Sequence, residues 1–352
     1  MKVFTKIQAA LASKQPFVVY RKPGKAVVSG VFQKSTALHV TTTYAEAGFV
    51  FAPFDAKDPS ILFPLNAAVL YEESYVSSEA EATPLEIKTV ENSKNTHIHL
   101  VQDALERIAG GDFEKVVLSR KEVLRIPKNA VIVVFERLLA KYKNAFVYVW
   151  YHPNIGLWLG ATPELLLAIS GTKISTMALA GTQPYTGNLS VDWKEKELVE
   201  QQFVTDYIEQ AIQPLCTAVQ KSETSTVQAG NLVHLKTAIT GELAQEKSTL
   251  EQLIKALHPT PAVCGLPRAA AKAFILKNEP YSRGFYTGFL GELNYSQAGT
   301  LQSSSLFVNL RCMEISKQTA AIFVGGGITK DSDPEKEWEE TVSKSRVMRS
   351  VL

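Results

Sequence analysis

The sequence predicts an α+β fold of large, mostly antiparallel sheets flanked by helices, and three observations carry that prediction. Short β-rich runs cluster between residues 15 and 75, amphipathic helical stretches cluster elsewhere, and the two kinds of element do not alternate strictly as a doubly wound parallel sheet requires. The chain has 352 residues, of which 45% are hydrophobic, so it carries enough apolar side chain for a large core, and disorder or a disulfide-stapled mini-protein is excluded. Length alone admits two compact domains or one oversized one. With 37 Lys plus Arg against 35 Asp plus Glu, and no run of five basic residues, there is no electrostatic footprint for nucleic acid or an anionic membrane. A small-molecule ligand is expected instead.

The start, MKVFTKIQAALASK, imitates a signal peptide, but Lys6 and Gln8 break its apolar stretch, so it predicts a first amphipathic helix. FVVYR, AVVSGVF, ALHVTTTY, GFVFAPF and ILFPL then read as a meander of strands divided by Gly, Pro, Lys and Asp. Residues 76–97 turn polar and acidic, predicting a surface linker that separates an N-terminal β-rich portion (1–95) from the remainder (96–352). Helical spacing of apolar residues from Ile98 ends at Gly110, a glycine stop, and strand KVVLSRKEVL follows. Further strands are expected at 146–151, 156–160, 164–169, 174–178, 305–311 and 320–325, and helices at 130–142, 192–213, 248–257, 268–275 and 333–350. There is no fixed-period repeat and no run near the ~20 apolar residues of a membrane span. Cys216, Cys264 and Cys312 are odd in number and lack metal-ligand spacing, which predicts reduced thiols and a cytoplasmic location.

Two acidic clusters could carry chemistry. Glu197 and Glu200 in KEKELVEQQF are three apart on one helix face, and so are Glu337 and Glu340 in SDPEKEWEET, where Ser332 is the expected cap and Pro334 sits near the first helical position. Carboxylates facing one another from two helices repel unless a hard cation such as Mg²⁺ lies between them. By themselves the clusters read first as solvated faces, since Lys194, Lys196 and Lys336 are adjacent, and no ExxH supports a di-iron site. VGGGITKDSD (324–333) reads as a Gly-rich loop, either an anion site lined by amides or a tight turn needing positive φ; it fails as a dinucleotide fingerprint because Lys330 stands where the third Gly belongs. Lys115 opens an apolar strand and Glu164 precedes one. Either marks a strand end in water or faces a cleft, where desolvation would lower a lysine pKa and raise a glutamate pKa, as a neutral-pH base and acid require. His234 and His258 read first as buried histidines.

Nine segments, in order over roughly the last 250 residues, together resemble the chorismate-utilising enzymes, and among them the isochorismate synthases: DFEKVVLSR, GLWLGATPELLL, TMALAGT, KELVEQ, HLKTAITG, HPTPAVCGLP, EPYSRGFYTGFLG, LFVNLRC and VGGGITKDSDPEKEWEET. The first ~95 residues carry no matching motif and only by family analogy join the same α/β sandwich. The resemblance implies Mg²⁺-dependent conversion of chorismate to isochorismate, water entering at ring C2 as the C4 hydroxyl leaves. It implies Lys115 as general base on the water and Glu164 as general acid on the departing hydroxyl. It implies Glu197, Glu200, Glu337 and Glu340 as metal carboxylates, Tyr286 and Arg311 on the enolpyruvyl carboxylate, and Gly181, Thr182, Gly325, Gly327 and Lys344 near the same dianion. His234 and Ala262 would lie near the ring.

Two positions narrow the branch. Ala180 stands where aminodeoxychorismate synthases carry a nucleophilic lysine, and Ala262 where the anthranilate and salicylate branches tend to carry threonine. Cys264 and the GGG run depart from the family pattern, Cys264 being read as packing. The resemblance therefore implies a monomer or weak dimer that needs no glutaminase subunit, feeding menaquinone or siderophore synthesis, with salicylate synthase, or a non-catalytic carboxylate-binding member, as the alternatives.

Overall fold

The β-rich runs between residues 15 and 75 do not form one meander; they divide between two sheets. A computed structural model describes residues 2–76, 85, 87–89, 93–244, 249–296 and 301–352. After helix α1 (Lys2–Ala12), strands β1 (Phe17–Arg21), β2 (Val27–Gln33) and β6 (Ala68–Ser74) join one sheet, while β3 (His39–Thr41), β4 (Gly48–Ala52) and β5 (Ser60–Pro64) join the other. The reason is burial: FVVYR and GFVFA are covered on both faces, so each belongs inside a sheet packed on two sides.

The chain continues through β7 (Lys88–Thr89), α2 (Lys94–Ala109), β8 (Lys115–Arg125), α3 (Ala130–Lys141), β9 (Phe146–His152), β10 (Gly156–Thr162), β11 (Leu165–Ser170), β12 (Lys173–Pro184) and α4 (Glu195–Ile212). Then follow β13 (Cys216–Lys221), β14 (Ser225–Ala229), β15 (Leu232–Leu243), α5 (Leu250–Leu257), β16 (Gly265–Leu266), α6 (Arg268–Asn278), β17 (Phe289–Tyr295), β18 (Ser303–Val308), β19 (Cys312–Ser316), β20 (Thr319–Ile328) and α7 (Pro334–Arg349). Among the described residues the first sheet runs β16-β8-β20-β19-β10-β9-β1-β2-β6 with β7 on β8, and the second β13-β15-β12-β11-β18-β17-β4-β5-β3 with β14 on β15. Every pairing is antiparallel, as expected from the sequence.

The sheets face each other across an aromatic layer. Phe63 stacks on Trp150 with centroids 5.2 Å apart, and Phe146 on Phe307 at 4.4 Å, each pair joining the two sheets. Helices α1, α3 and α7 cover the outside of the first sheet, α4 and α5 the outside of the second, and α2 and α6 pack on β8. Cys264 is buried in that last cluster, in keeping with a packing role.

Three local expectations change. Of the expected linker, residues 77–84, 86 and 90–92 lie outside the described residues; the rest includes β7 paired to β8 and the start of α2. The cap of α7 is Asp333, which accepts from Lys336 N, while Ser332 Oγ accepts from Thr329 N and closes the preceding turn. The strand expected to reach residue 311 stops at Val308, because Arg311 adopts a left-handed backbone (φ 48°) between β18 and β19.

Replacing Trp150, fully buried between the sheets, with Ala should lower the unfolding free energy in urea by about 3–5 kcal/mol. A loss below about 1 kcal/mol would mean that the aromatic layer does not hold the sheets together.

Candidate active site

The site forms where the chain is least regular. Between β10 and β11 the chain crosses from the first sheet to the second through Pro163 and Glu164, so Glu164 sits at the crossover with its carbonyl accepting from Val308 N at 3.0 Å. In β12 the register against β15 slips between Ala180 and Gln183, and Gly181 takes φ 64° there, which a glycine does without penalty. The helix carrying Glu200 is fastened to this bulge by its neighbour Gln201, whose Oε1 accepts from Ala180 N at 2.9 Å and whose Nε2 donates to Ala178 O and Thr237 Oγ1.

Gly325, Gly326 and Gly327 belong to strand β20, and none has positive φ, so the expected Gly-rich loop or turn is corrected to a strand stripped of side chains. The reason is space. A Cβ on Gly327 would stand 2.6 Å from Glu200 Oε1 and 3.0 Å from Lys115 Cε; one on Gly326 would stand 3.4 Å from Glu340 Oε1 and 3.5 Å from Glu337 Oε2. Strand alternation thus turns Gly327 toward α4 and β8, and Gly326 toward α7.

Around this backbone the charges are paired. Lys115 Nζ, fully buried, lies 2.9 Å from Glu200 Oε1; Lys196 Nζ donates to Glu337 Oε1 at 2.6 Å; and Lys344 Nζ lies 2.6 Å from Glu340 Oε1 while donating to Gly325 O. Burial works to raise the Glu200 pKa, but Lys115, Lys344 and Lys196 outweigh it and hold the carboxyl below its ordinary value. Burial and the neighbouring Glu340 push Glu337 up against the pull of Lys196. Glu164 is pushed up to about 8 by burial, which the Arg311 and Lys115 charges only partly oppose. It therefore carries its proton at neutral pH. His234 is driven down to about 3 by burial and by Arg311, so its ring is neutral. Its Nδ1 lies 2.9 Å from Gly181 O, which needs a donor, and Nε2 lies 3.4 Å from Arg311 Nη2, which needs an acceptor.

One cleft gathers most of the predicted residues. Glu164, Gly181, Thr182, Glu200 and His234 line one side of it. Ala262, Tyr286, Arg311, Gly325, Gly327 and Lys344 complete the wall. Lys115 does not line the cleft but lies immediately behind Gly327 and Glu200. Glu197 turns away: its Oε2 accepts from Lys194 N at 3.0 Å and caps its own helix. A larger cavity of about 840 Å³ opens elsewhere, beside Tyr20, Lys22 and Glu292, and contains none of the predicted site residues.

Among the described residues, no group of three or more His, Cys, Asp or Glu side chains is arranged to hold a metal ion. A lysine occupies one oxygen of each of Glu200, Glu337 and Glu340. The donor set still fits a hard divalent cation: it is all carboxylate, and Glu337 Oε2 is buried without a hydrogen-bond partner.

Residues 63–352 match the family model described as chorismate binding enzyme. The chain belongs to that family. It is 34% identical over 270 residues to isochorismate synthase DhbC of Bacillus subtilis, covering 72% of this chain and 66% of that protein. Isochorismate synthase EntC of Escherichia coli is 29% identical over 320 residues, covering 85% of this chain and 79% of that protein. The crystal structure of DhbC from Bacillus anthracis superposes with a TM-score of 0.80 at 25% identity, covering 96% of each chain.

Within this chorismate-binding chain, the sequence reading missed Gly326, Lys196 as the partner of Glu337, and Gln201. In the sequence Lys196 reads as a mark of a solvated face, whereas in the fold it reaches Glu337 on α7. His258 does not reach the cleft; it packs edge-on against Phe289 with centroids 5.0 Å apart.

A carboxyl whose folded pKa (about 8) exceeds its ordinary value of 4.5 favours folding below that window, and this contribution is lost as pH rises through it. Glu164→Gln should therefore gain stability relative to the parent protein between pH 4.5 and 8, by at most about 1.4 kcal/mol per pH unit, and level off above. Denaturant midpoints across this range check it; a pH-independent difference would contradict a proton held by Glu164.

Proposed function

We propose that the chain is an isochorismate synthase that converts chorismate to isochorismate with Mg²⁺. The observation that carries this reading is a buried carboxyl, Glu164, protonated at neutral pH in the same cleft as the Arg311 guanidinium and next to the Lys115–Glu200 pair. Hydroxide leaves a ring poorly unless it is protonated, and Glu164 has a proton to give to the C4 hydroxyl. Water adds poorly at C2 unless its proton is taken, which assigns Lys115 as the base. To accept that proton Lys115 must first give up one of its own, for which the Glu200 carboxylate at 2.9 Å is the acceptor at hand, so the two residues act together.

Arg311 and Tyr286 would bind the enolpyruvyl carboxylate, the guanidinium by paired N–H donors. Neutral His234, accepting at Nε2, orients Arg311 without adding a charge that would repel it. Glu200, Glu337 and Glu340 would hold Mg²⁺, with Glu197 held back at its helix cap. When bound, the ion supplies positive charge for the ring carboxylate. Ala180 supports water rather than a lysine amine as the nucleophile, since no amine extends from that position.

Purified protein given chorismate should yield isochorismate with Mg²⁺ and none after chelation, read by product separation. Salicylate plus pyruvate would reassign the chain to the salicylate synthases, and no turnover would favour a binding protein. Lys115→Ala and Glu164→Gln should each stay folded yet lose about 100-fold or more in kcat. Glu337→Gln should raise the Mg²⁺ concentration for half-maximal activity about tenfold or more, and an unchanged requirement would remove Glu337 from the metal site.

A further inference from the structure

Strand β8 carries Lys115 behind the cleft and Val117 into its wall, but only part of its outer edge is covered by another strand. β16 pairs with that edge at Lys115 and Val116, and β7 at Leu124 and Arg125. Between these ends, among the described residues, two side chains take the place of a strand. Arg283 Nη2 donates to Val117 O at 2.6 Å, and Glu279 Oε1 accepts from Ser119 N at 2.8 Å. Ser119 Oγ also donates to Glu279 Oε1 at 2.8 Å, which leaves the Tyr281 hydroxyl as donor to Ser119 Oγ at 2.7 Å.

Glu279 and Arg283 form a buried ion pair, their side chains 1% and 2% exposed. Arg283 Nε donates to Glu279 Oε2 at 2.8 Å and Nη2 to Oε1 at 2.6 Å, the two-pronged contact that a guanidinium makes with a carboxylate. The remaining donors reach three separate pieces of the cleft wall. One is Val117 on β8; the second is Val263, next to Ala262, whose carbonyl accepts from Nη1 at 2.9 Å; the third is Thr287, next to Tyr286, whose Oγ1 accepts from Nη1 at 3.2 Å. Every N–H of the guanidinium is thus engaged. Val117, Val263, Tyr286 and Thr287 all line the cleft. Thr287 holds a left-handed backbone, φ 58°, which a branched residue keeps only where its surroundings impose it.

We propose that Glu279 and Arg283 are positioning residues: their buried pair joins β8, the Ala262–Val263 segment and the Tyr286–Thr287 turn, and so fixes where Lys115 stands relative to the substrate end at Tyr286. A lysine cannot replace the arginine, because an ammonium lacks the planar fork of donors. For kcat this role rests on the chorismate conversion proposed above; for the geometry of the cleft it does not.

Arg283→Lys and Glu279→Asp, which keep both charges, test it beside Ile7→Ala, a buried position on α1 outside the network. All three should fold with lowered urea midpoints. Against chorismate, Arg283→Lys should lose about tenfold or more in kcat and Glu279→Asp about threefold or more, with KM changed by less than about threefold, while Ile7→Ala keeps the parent kcat. A kcat within about twofold of the parent in either folded variant of the pair, a loss carried by KM alone, or an equal kcat loss in Ile7→Ala would overturn the proposal. Failure of both pair variants to fold would do the same, by making the pair a folding element. The amide ¹H–¹⁵N signals of Gly325 and Gly327, which lie opposite Ser119 and Val117 in the ladder between β20 and β8, read the placement of β8 without turnover. They should shift in both variants of the pair and not in Ile7→Ala. Absence of chorismate conversion by the parent protein would strike the proposed activity and leave these signals to decide, and unmoved signals would end the positioning role.

Discussion

Three consecutive glycines near the end of β20 are the constraint on which the rest depends. β20 pairs with β8 along its length but with β19 only as far as Ile322, and beyond that point Gly325, Gly326 and Gly327 supply no side chain. Into the space they leave come Lys115 from β8, Glu200 from α4, and Glu337 and Glu340 from α7. So many charges could not be withdrawn from water singly; each carboxylate is matched by an ammonium, and it is pairing that makes their burial tolerable. The arrangement is neutralised rather than inert, because a cation competing for the carboxylates, or an anion for the ammoniums, would find its partner already in place.

Three further irregularities point into the same cleft. Glu164 occupies the crossover between sheets, Gly181 a bulge, and Arg311 a left-handed turn that a residue with a side chain rarely adopts. Each departs from the regular ladder at the place where a side chain or a backbone group must be aimed. The surrounding sandwich, with its stacked rings between the sheets, is rigid enough to hold these positions.

Much of the fold was legible because its signals are local. The helical period from Ile98 to Gly110 and the β-rich run KVVLSRKEVL act within a few residues, and a helix and a strand appear there. β13 and β14 are largely exposed and polar, and β16 is two residues long and exists only by pairing with β8, so none of them has a local signal; β15, β17 and β19 are also absent from the expected strands, although β15 and β17 are mostly buried. The split of the early strands between two sheets is a long-range matter: β1 pairs with β9 and β4 with β17, partners more than a hundred residues away, and no local pattern encodes them. The site was legible as an ordered set of motifs, down to Glu164 and Arg311. Its electrostatics were not. That Lys196 would find Glu337, or that Glu197 would serve its own helix instead of a shared ion, depends on how α4 and α7 meet.

The most direct measurement is a ¹³C NMR titration of the Glu164 carboxyl carbon in labelled protein, with Glu164→Gln to assign the signal. The buried cleft described above predicts a midpoint near 8, hence a protonated acid at neutral pH. A midpoint in the ordinary range near 4.5 would contradict it, leaving Glu164 a carboxylate with no proton to give.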